Sequence, residues 1–153
     1  MAGLDQIDRN ILAVLQKQGR ITYAELSEAV NLSPSACHRR VQRLETDGFI
    51  DRYVALLDAR RLGRQTIVFV EIRLQGQTDD VLEAFEREVA RIPDVLECHL
   101  MAGSADYLLK VVARDTDDFA QIHRRFLSRL PGVAQMQSSF ALRTVVKTTA
   151  LPV

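Results

Sequence analysis

The feature that most constrains the fold is an internal repeat in the second half of the chain. Thr78-Asp79-Asp80 recurs as Thr116-Asp117-Asp118, an offset of 38 residues. In each copy the threonine or an aspartate can cap a helix, and the acidic residues suit the positive end of the helix dipole. Apolar residues then follow at helical spacing up to a proline, Pro93 or Pro131. The repeat therefore predicts two helices, each followed by an extended segment.

Alternating and β-branched segments predict the strands around these helices. The first is "TIVFVEIRL", which begins at Thr66, and the others are expected over 95–101, 106–113 and 133–146. The resulting order is βαββαβ, the ferredoxin-like arrangement of an antiparallel sheet with two helices on one face. The other face of the sheet would lie bare. Because an exposed apolar face is a liability for a soluble monomer, we expect two chains to stack sheet against sheet in a homodimer.

Three short helices are predicted in the first half of the chain. Asp5 can cap the first, which Gly19 would end. Thr22 and Glu25 form a capping box for the second helix. The third begins at Ser33-Pro34, where a hydroxyl caps the helix and proline occupies a position that needs no amide hydrogen, and it is expected to run to about Thr46.

The third helix has two different sides. Cys37, Val41 and Leu44 fall within one narrow arc and predict the buried side. The opposite side is polar, with His38 and Arg40 on its flanks, and consists of Ser35, Ala36, Arg39, Gln42 and Arg43. A solvated surface helix could show this pattern. However, the preceding helix is short, the connection is about three residues, and small residues begin the helix, which together favour a helix-turn-helix that places this helix in the DNA major groove.

The segment after Gly48 predicts a wing-like strand and a connector. Phe49, Ile50, Tyr53 and Val54 favour β structure. The chain then divides into a helix-turn-helix domain over 1–50, a wing and hinge linker over 51–65, and a ferredoxin-like domain over 66–153. The predicted fold class is α+β.

Composition limits the classes of protein that this chain can be. It has 153 residues, 47% of them apolar, and a net charge of zero. No stretch approaches the roughly 18 apolar residues of a membrane span, and the acidic N-terminus is unlike a signal peptide, so we expect a cytoplasmic protein without a membrane partner. Cys37 and Cys98 lack partners at metal-ligand spacing. We therefore expect neither a disulfide framework nor a metal or cofactor.

The connection "MAGSAD", residues 101–106, is a candidate small-molecule site. Gly103 permits close approach of a ligand, Ser104 offers a hydroxyl, and Asp106 could pair with an ammonium group. An ordinary turn would have the same composition. Its place between two predicted strands is nevertheless typical of sites built from loop amides and one charged residue.

Taken in order, these motifs resemble the Lrp/AsnC family of leucine-responsive and asparagine-operon regulators over nearly the whole chain. The matching segments are "LDQIDRNIL", "AELSEAVNLSPSACHRRVQRLETDGFI", "FVEI", "ECHLMAGSADYLLKV" and "RLPGV". The resemblance implies a winged helix-turn-helix joined to a regulatory domain of the amino-acid metabolism (RAM) type, which is ACT-like. It also implies dimers that assemble into octamers or similar rings, and transcription control by an amino-acid effector.

The resemblance also implies site residues. Those that would contact double-stranded DNA are Ser33, Ser35, Ala36, His38, Arg39, Gln42 and Arg43. The effector would be bound by the central loop, namely Met101, Ala102, Gly103, Ser104, Ala105 and Asp106. Across a contact between dimers, the site would be completed by Ala134, Gln135, Met136 and Gln137. Many family members have an acidic and an aromatic residue where this chain has Ser104 and Ala105, and Met101 with Met136 would suit an apolar amino acid.

Three classes of function follow from these observations. The first is a sequence-specific transcriptional regulator whose oligomeric state and DNA affinity respond to a small effector, with an effector-independent architectural DNA-binding protein of the same family as its alternative. The second, an enzyme, is disfavoured because His38, His99 and His123 have no evident nucleophile or carboxylate partner nearby in the sequence. The third is a stand-alone effector-binding or assembly protein.

Overall fold

The structure, a computed structural model, describes residues 3–153 and divides into two compact units. One unit contains the residues up to Leu56 together with Val146–Val153, and the other is Leu57–Val145. The sequence prediction placed the last of these segments in the 66–153 domain, whereas the structure groups it with the N-terminal unit. The reason is a pair of hydrogen bonds, because the Gln16 side chain donates to the Leu151 carbonyl and accepts from the Leu151 amide, each at 2.9 Å.

The N-terminal unit contains the three predicted helices. They are α1 (Gln6–Leu15), α2 (Tyr23–Ala29) and α3 (Pro34–Thr46). The predicted caps are confirmed, since Asp5, Thr22 and Ser33 each accept a backbone hydrogen bond at the start of a helix. The prediction that Gly19 ends the first helix was wrong. Helix α1 already ends at Leu15, because the Val14 carbonyl accepts from both Lys17 and Gln18 and closes the last turn tightly.

The turn between α2 and α3 has the predicted short connection. Asn31 has a positive φ of 54°, a conformation that asparagine tolerates better than most residues. The Leu32 amide donates to the Ser27 carbonyl at 2.9 Å. The chain thereby turns within a few residues and enters α3 at Ser33. At the other end of α3, Gly48 has a φ of 77° and ends the helix, as predicted.

The predicted wing-like strand is absent from the described residues. Between α3 and Thr66 the chain forms no strand, and Tyr53 and Val54 are exposed. A strand needs a hydrogen-bonded neighbour, and among residues 3–153 this segment has none. β propensity alone therefore did not decide its structure.

The C-terminal unit has the predicted βαββαβ order. Its strands are β1 (Thr66–Leu74), β2 (Val95–Leu100), β3 (Tyr107–Ala113) and β4 (Val133–Phe140). Its helices are α4 (Asp79–Val89), α5 (Thr116–Arg125) and a short 3-10 helix (Leu127–Arg129). The strand order in the sheet is β2-β3-β1-β4, with every neighbouring pair antiparallel. The ferredoxin-like prediction is confirmed.

Strand β4 is shorter than predicted. The expected range was 133–146, but the strand ends at Phe140. Phe140 pairs with Val68, and the Ala141 amide makes one more hydrogen bond to the Ile67 carbonyl. Because β1 begins at Thr66, the following residues have no neighbouring strand to pair with.

The two faces of the sheet differ in their surroundings. One face packs against α4 and α5 through fully buried residues such as Val70, Leu109 and Phe85. The other face is open within this chain and mixes apolar with charged side chains, including Phe69, Glu71 and Arg73. Within residues 3–153, every helix is too short or too polar to cross a bilayer.

Candidate DNA-binding and effector sites

Helix α3 is anchored along one side, which fixes the side that faces outward. The Ser33 hydroxyl accepts from the Ala36 amide at 3.3 Å, and Pro34 occupies the first helical turn. Cys37, Val41 and Leu44 are at most 1% exposed. A helix fastened in this way has one orientation about its own axis, so its opposite side has a defined direction.

The outward side of α3 presents the predicted polar residues. Ser35, His38, Arg39 and Gln42 are exposed, and Ala36 is half-buried at the start of the helix. Within the described part of the chain, Arg39 has no ion pair and no side-chain hydrogen bond. Its guanidinium can therefore meet a phosphate or a guanine edge without first breaking a contact.

His38 lies against the beginning of α2. Its ring contacts that of Tyr23 edge to face, with the ring centroids 4.7 Å apart. This contact restricts the rotamers of His38 while leaving the side chain exposed. The contact joins the two helices of the motif on their solvent side.

Arg40 and Arg43 point toward α1 rather than away from the protein. Both guanidinium groups donate to the carboxylate of Asp8, and Arg40 does so at 2.8 Å. The Asp8 side chain is only 1% exposed, whereas that of Arg43 is 42% exposed. The sequence assigned Arg43 to the DNA contact, and the structure directs it to Asp8. Arg43 therefore holds α3 against α1, and any contact it makes with DNA would have to use its remaining donors.

Asp5 completes this network of charges. It caps α1 and accepts from Arg40 at 2.7 Å. The hydrogen bond from the Asp8 amide, followed by that from Arg40, lowers the pKa of Asp5 to about 2. We refer to Asp5, Asp8, Arg40 and Arg43 as the α1–α3 charge network. The network neutralises Arg40 and Arg43, so among the residues that the structure describes Arg39 is the α3 arginine left without an ionic partner.

The loop over residues 101–106 is held to β1 by its last residue. The Asp106 carboxylate accepts from the Leu74 amide at 2.7 Å and from the Gln77 side chain at 2.6 Å. These two donors, the Leu74 amide first, lower the pKa of Asp106. The contacts lie beside the irregularity in the β1–β4 pairing between Arg73 and Leu74. Asp106 was predicted to pair with an ammonium group, and in the structure its carboxylate braces the loop instead.

A pocket of about 150 Å³ lies between this loop and the open face of the sheet. Four of the predicted effector residues line it, namely Ser104, Ala105, Gln135 and Gln137. The sequence prediction expected the loop and the β4 residues to meet across two dimers. The structure brings them together within one chain, because Gln135 and Gln137 pair with Arg73 and Glu71 of β1.

The other predicted effector residues lie outside this pocket. Met136 points to the opposite side of β4 and packs against the core, as the alternation of side chains along a strand requires. Met136 therefore does not line this pocket, and its effector contact beside Met101 stays a prediction. Ala134, Met101, Ala102 and Gly103 are exposed and do not line the pocket.

Sequence reasoning missed five residues that shape the two sites. Asp8 and Arg40 belong to the α1–α3 charge network, Glu71 and Arg73 line the pocket, and Gln77 holds Asp106. The alternation of side chains along β1 could have placed Glu71 and Arg73 on the open face of the sheet. The pairing of Asp8 with Arg40 had no local signal, because the two residues are 32 positions apart.

Neither unit shows an arrangement typical of a metal site. Among residues 3–153, no three histidine, cysteine or acidic side chains are placed to hold a metal ion. His99 is near Glu97, at 3.4 Å, and His123 is near the ring of Phe119.

Family models and related proteins identify the family. Residues 4–51 match the model of a winged helix-turn-helix DNA-binding domain, and residues 67–151 match the model of the Lrp/AsnC ligand binding domain. The chain belongs to the Lrp/AsnC family. By these matches the chain combines a winged helix-turn-helix domain, whose wing segment forms no strand among the described residues, with an Lrp/AsnC ligand-binding domain. It is a DNA-binding transcriptional regulator rather than an enzyme.

Members of the Lrp/AsnC family match this chain over nearly its whole length. It is 44% identical over 148 residues to the leucine-responsive regulatory proteins of Salmonella typhimurium and Escherichia coli, which covers 97% of this chain and 90% of each relative. A transcriptional regulator from Neisseria meningitidis, solved as a complex with L-methionine, shares 39% identity and a TM-score of 0.93, covering 98% of this chain and 97% of the other. An AsnC family regulator from Agrobacterium tumefaciens shares 36% identity and a TM-score of 0.94, covering 97% of both chains.

Proposed function

We propose that this Lrp/AsnC family protein binds specific DNA sequences and that an amino acid changes both its assembly and its DNA affinity. The observation that carries the proposal is the outward side of α3. There Arg39 is exposed and has no partner among residues 3–153, while the other two arginines are held by Asp8. An arginine with free terminal donors can bind guanine in a bidentate manner, which reads sequence rather than charge alone.

The remaining DNA contacts in the proposal come from the start of α3. Ser35, His38 and Gln42 are exposed beside Arg39, and Ser33 and Ala36 are small enough for this end of the helix to approach a groove closely. Hydroxyl and amide side chains contact both phosphates and base edges. The predicted Arg43 contact becomes secondary, because its guanidinium already binds Asp8.

An amino acid is the proposed effector. Supporting it are the names of the related proteins, which include leucine-responsive regulators and a regulator in complex with L-methionine. The pocket beside residues 104–105 is lined by amide, hydroxyl and charged groups, as a small zwitterion requires. We propose leucine and methionine as the first effectors to test.

A homodimer is the proposed building block. On the open face of the sheet, Phe69 is 39% exposed. Leu108 and Val112 lie on the same face and are half-buried. Covering these side chains with a second sheet would remove apolar surface from water. A two-fold dimer would also place two α3 helices at half-sites about 10 bp apart or at a multiple of that spacing. The proposal also includes octamers or similar rings. It includes the predicted cytoplasmic location as well.

Linkage connects the two proposed binding events. Assemblies that space their α3 helices differently would bind DNA with different affinities. If they also bind the effector with different affinities, the effector must change DNA affinity, and DNA must change effector affinity by the same coupling free energy. Such coupling is typically about 1 to 3 kcal/mol, or roughly a 5- to 150-fold change in affinity.

Substitution of Arg39 tests sequence-specific DNA binding. We expect Arg39→Ala to weaken binding to the chain's own promoter DNA and to relax its base preference, because one bidentate contact contributes about 1 to 3 kcal/mol of discrimination. The measurement is an electrophoretic shift titration on promoter and random duplexes at fixed salt.

Arg9→Ala is the matched control, since Arg9 is an exposed arginine of α1 without a side-chain partner in the described structure. It should leave the preference intact. An equal loss by Arg39→Ala on promoter and random DNA would show that Arg39 contacts only phosphate. Strong binding to any duplex, without preference and without response to amino acids, would favour the architectural alternative.

A further inference from the structure

Strand β2 forms one edge of the sheet. It stands first in the order β2-β3-β1-β4, and among residues 3–153 only β3 pairs with it. At the end of this pair, the Met101 amide donates to the Asp106 carbonyl at 2.8 Å. Because backbone groups alternate in direction along an antiparallel strand, the amides and carbonyls of Cys98 and Leu100 point away from β3. Within the described structure, β2 therefore presents unpaired hydrogen-bonding groups along its outer side.

The side chains beside this edge are apolar and exposed. Leu96 and Leu100 are 56% and 61% exposed, and the Cys98 side chain is exposed as well. Together with residues of α4, they line a groove of about 390 Å³. The groove lies on the helix side of the sheet, so the face-to-face homodimer proposed above would leave it uncovered. Edge strands are often protected by lysine or proline, and Val95–Leu100 contains neither.

The sequence "LECHL" in β2 is nearly symmetric about its central cysteine. An antiparallel pair of two copies, centred on Cys98, would place each Leu96 opposite Leu100 of the other copy. It would also place Glu97 opposite His99 of the other copy. Apolar pairs and pairs of opposite charge stabilise neighbouring strands, whereas like charges directly opposite are destabilising. A register centred on Glu97 would oppose two carboxylates, and one centred on His99 would leave the carboxylates without a cross-strand partner.

We propose that β2 is a self-association surface, at which two copies of this chain join their sheets edge to edge around a two-fold axis at Cys98. The outward backbone groups of Cys98 and Leu100 would continue the hydrogen-bonded ladder, and the leucines of each copy would cover the groove of the other. This inference rests on the proposed assembly into rings and names the surface that joins one face-to-face dimer to the next. A closed ring of dimers requires two different two-fold contacts per chain.

Cys98 provides a probe of this geometry. Hydrogen-bonded residues directly opposite each other in an antiparallel pair have Cα atoms about 5.5 Å apart, a separation that a disulfide spans. The full-length protein is equilibrated with reduced and oxidised glutathione. Two Cys98 thiols form one disulfide, while one glutathione disulfide takes up the two electrons and two protons and becomes two glutathione thiols. Non-reducing gel electrophoresis after acid quenching measures the covalent dimer.

The matched control for the disulfide is Gln121→Cys in a Cys98→Ser background, because Gln121 is exposed on α5. The buried Cys37 is present in every variant. We expect the effective concentration of the Cys98 pair to exceed that of the control pair by at least about 10-fold. The comparison is made at equilibrium, so differences in thiol reactivity do not enter it.

A second measurement removes the contact without using the cysteine. Leu96→Lys places a charge on the edge, and we expect it to reduce the fraction of assemblies larger than a dimer by at least about 10-fold at equal protein concentration. Particle mass measures this fraction. Leu96 is already 56% exposed, so the variant should keep the circular dichroism spectrum of the wild type. Leu142→Lys is the control, because Leu142 is 99% exposed and lies outside β2, and it should keep the wild-type mass.

The possible outcomes separate the edge contact from the proposed assembly. An effective concentration equal to that of the control, or large assemblies that persist in Leu96→Lys, would overturn the edge contact and leave the proposed rings standing. A wild-type protein that forms only dimers, without the Cys98 disulfide, would overturn both. Dimers that do form this disulfide, with no larger assembly, would support the edge contact and overturn the face-to-face contact.

Discussion

Among single residues, Asp8 holds α3 against α1 through ion pairs with Arg40 and Arg43. It is buried, and it accepts hydrogen bonds from two arginines of α3 while its side chain also bonds the Asp5 amide. A buried carboxylate is tolerated only when its charge is compensated, and here the compensation comes from the helix that would enter DNA. The orientation of α3 therefore depends on a residue that does not face the DNA.

Asp8→Asn tests this dependence. We expect the free energy of unfolding of the N-terminal unit to fall by about 1 to 3 kcal/mol, since hydrogen bonds to charged groups are lost while both arginines remain partly hydrated. Urea denaturation followed by circular dichroism measures it. Asp47→Asn is the control, because Asp47 is an exposed residue after α3 with no side-chain partner in the described structure. Equal stability of Asp8→Asn and the control would contradict the structural role of Asp8.

The charge network also predicts a dependence on pH. The pKa of Asp5 is lowered from its ordinary value of 3.8 to about 2 in the folded protein. A depressed carboxylate pKa stabilises the folded state at pH values above 3.8, and this contribution is lost as the pH falls through 2. We expect Asp5→Asn, which can still cap α1, to show a shallower loss of stability between about pH 4 and pH 2 than the wild type. Denaturation at several pH values measures it, and identical pH profiles would refute it.

At the scale of secondary-structure elements, the connection between β2 and β3 depends on β1 for its shape. Asp106 binds the Leu74 amide and the Gln77 side chain, and Arg73 binds the Ser104 carbonyl. The loop is therefore fixed at both its middle and its end. A small-molecule site built on such a loop is preorganised, which lowers the entropic cost of binding.

Substitutions that remove these contacts one or two at a time test whether the amino-acid response needs the loop to be held in place. We expect Asp106→Ala to abolish the amino-acid response while DNA binding remains, because α3 lies in the other unit. Gln77→Ala removes one donor only and should weaken the response less. Promoter binding is titrated with and without L-leucine and L-methionine. An unchanged effector titration for Asp106→Ala would show that the loop is not part of the site.

Elements with strong local signals were predictable from the sequence. The caps at Asp5, Thr22 and Ser33 satisfy backbone amides within three residues, so the information is local. The βαββαβ order follows from the repeat. The ends of strands were less predictable, because β4 stops where β1 has no more residues to pair with. The predicted strand around Tyr53 did not form, because the structure places no neighbouring strand beside it among the described residues.

The site was predictable only in part, for a similar reason. Ser104, Ala105, Gln135 and Gln137 were expected from the family resemblance and do share one pocket. The partners of Asp106 and Arg43 depend on residues about 30 positions away in the sequence. Such pairings are set by the packing of the elements and not by local periodicity.

At the scale of the whole molecule, the proposed DNA-binding residues and the proposed effector pocket belong to different units. Helix α3 lies in the unit that combines the residues up to Leu56 with Val146–Val153, and the pocket lies within Leu57–Val145. An effector bound in this pocket would therefore act on DNA binding without touching α3. In the proposed mechanism the effector acts by changing which assembly is most stable, and the assembly sets the spacing of the α3 helices.

The most direct test is a titration of fluorescent promoter DNA with the full-length protein, in the absence and presence of each of the twenty amino acids, with particle mass recorded under the same conditions. We expect a dimer or a larger assembly that binds the duplex, and at least one amino acid that changes the affinity by roughly 5- to 150-fold together with the mass distribution. A monomeric chain that ignores duplex DNA at low ionic strength, or one whose affinity is the same with every amino acid, would contradict the proposed mechanism.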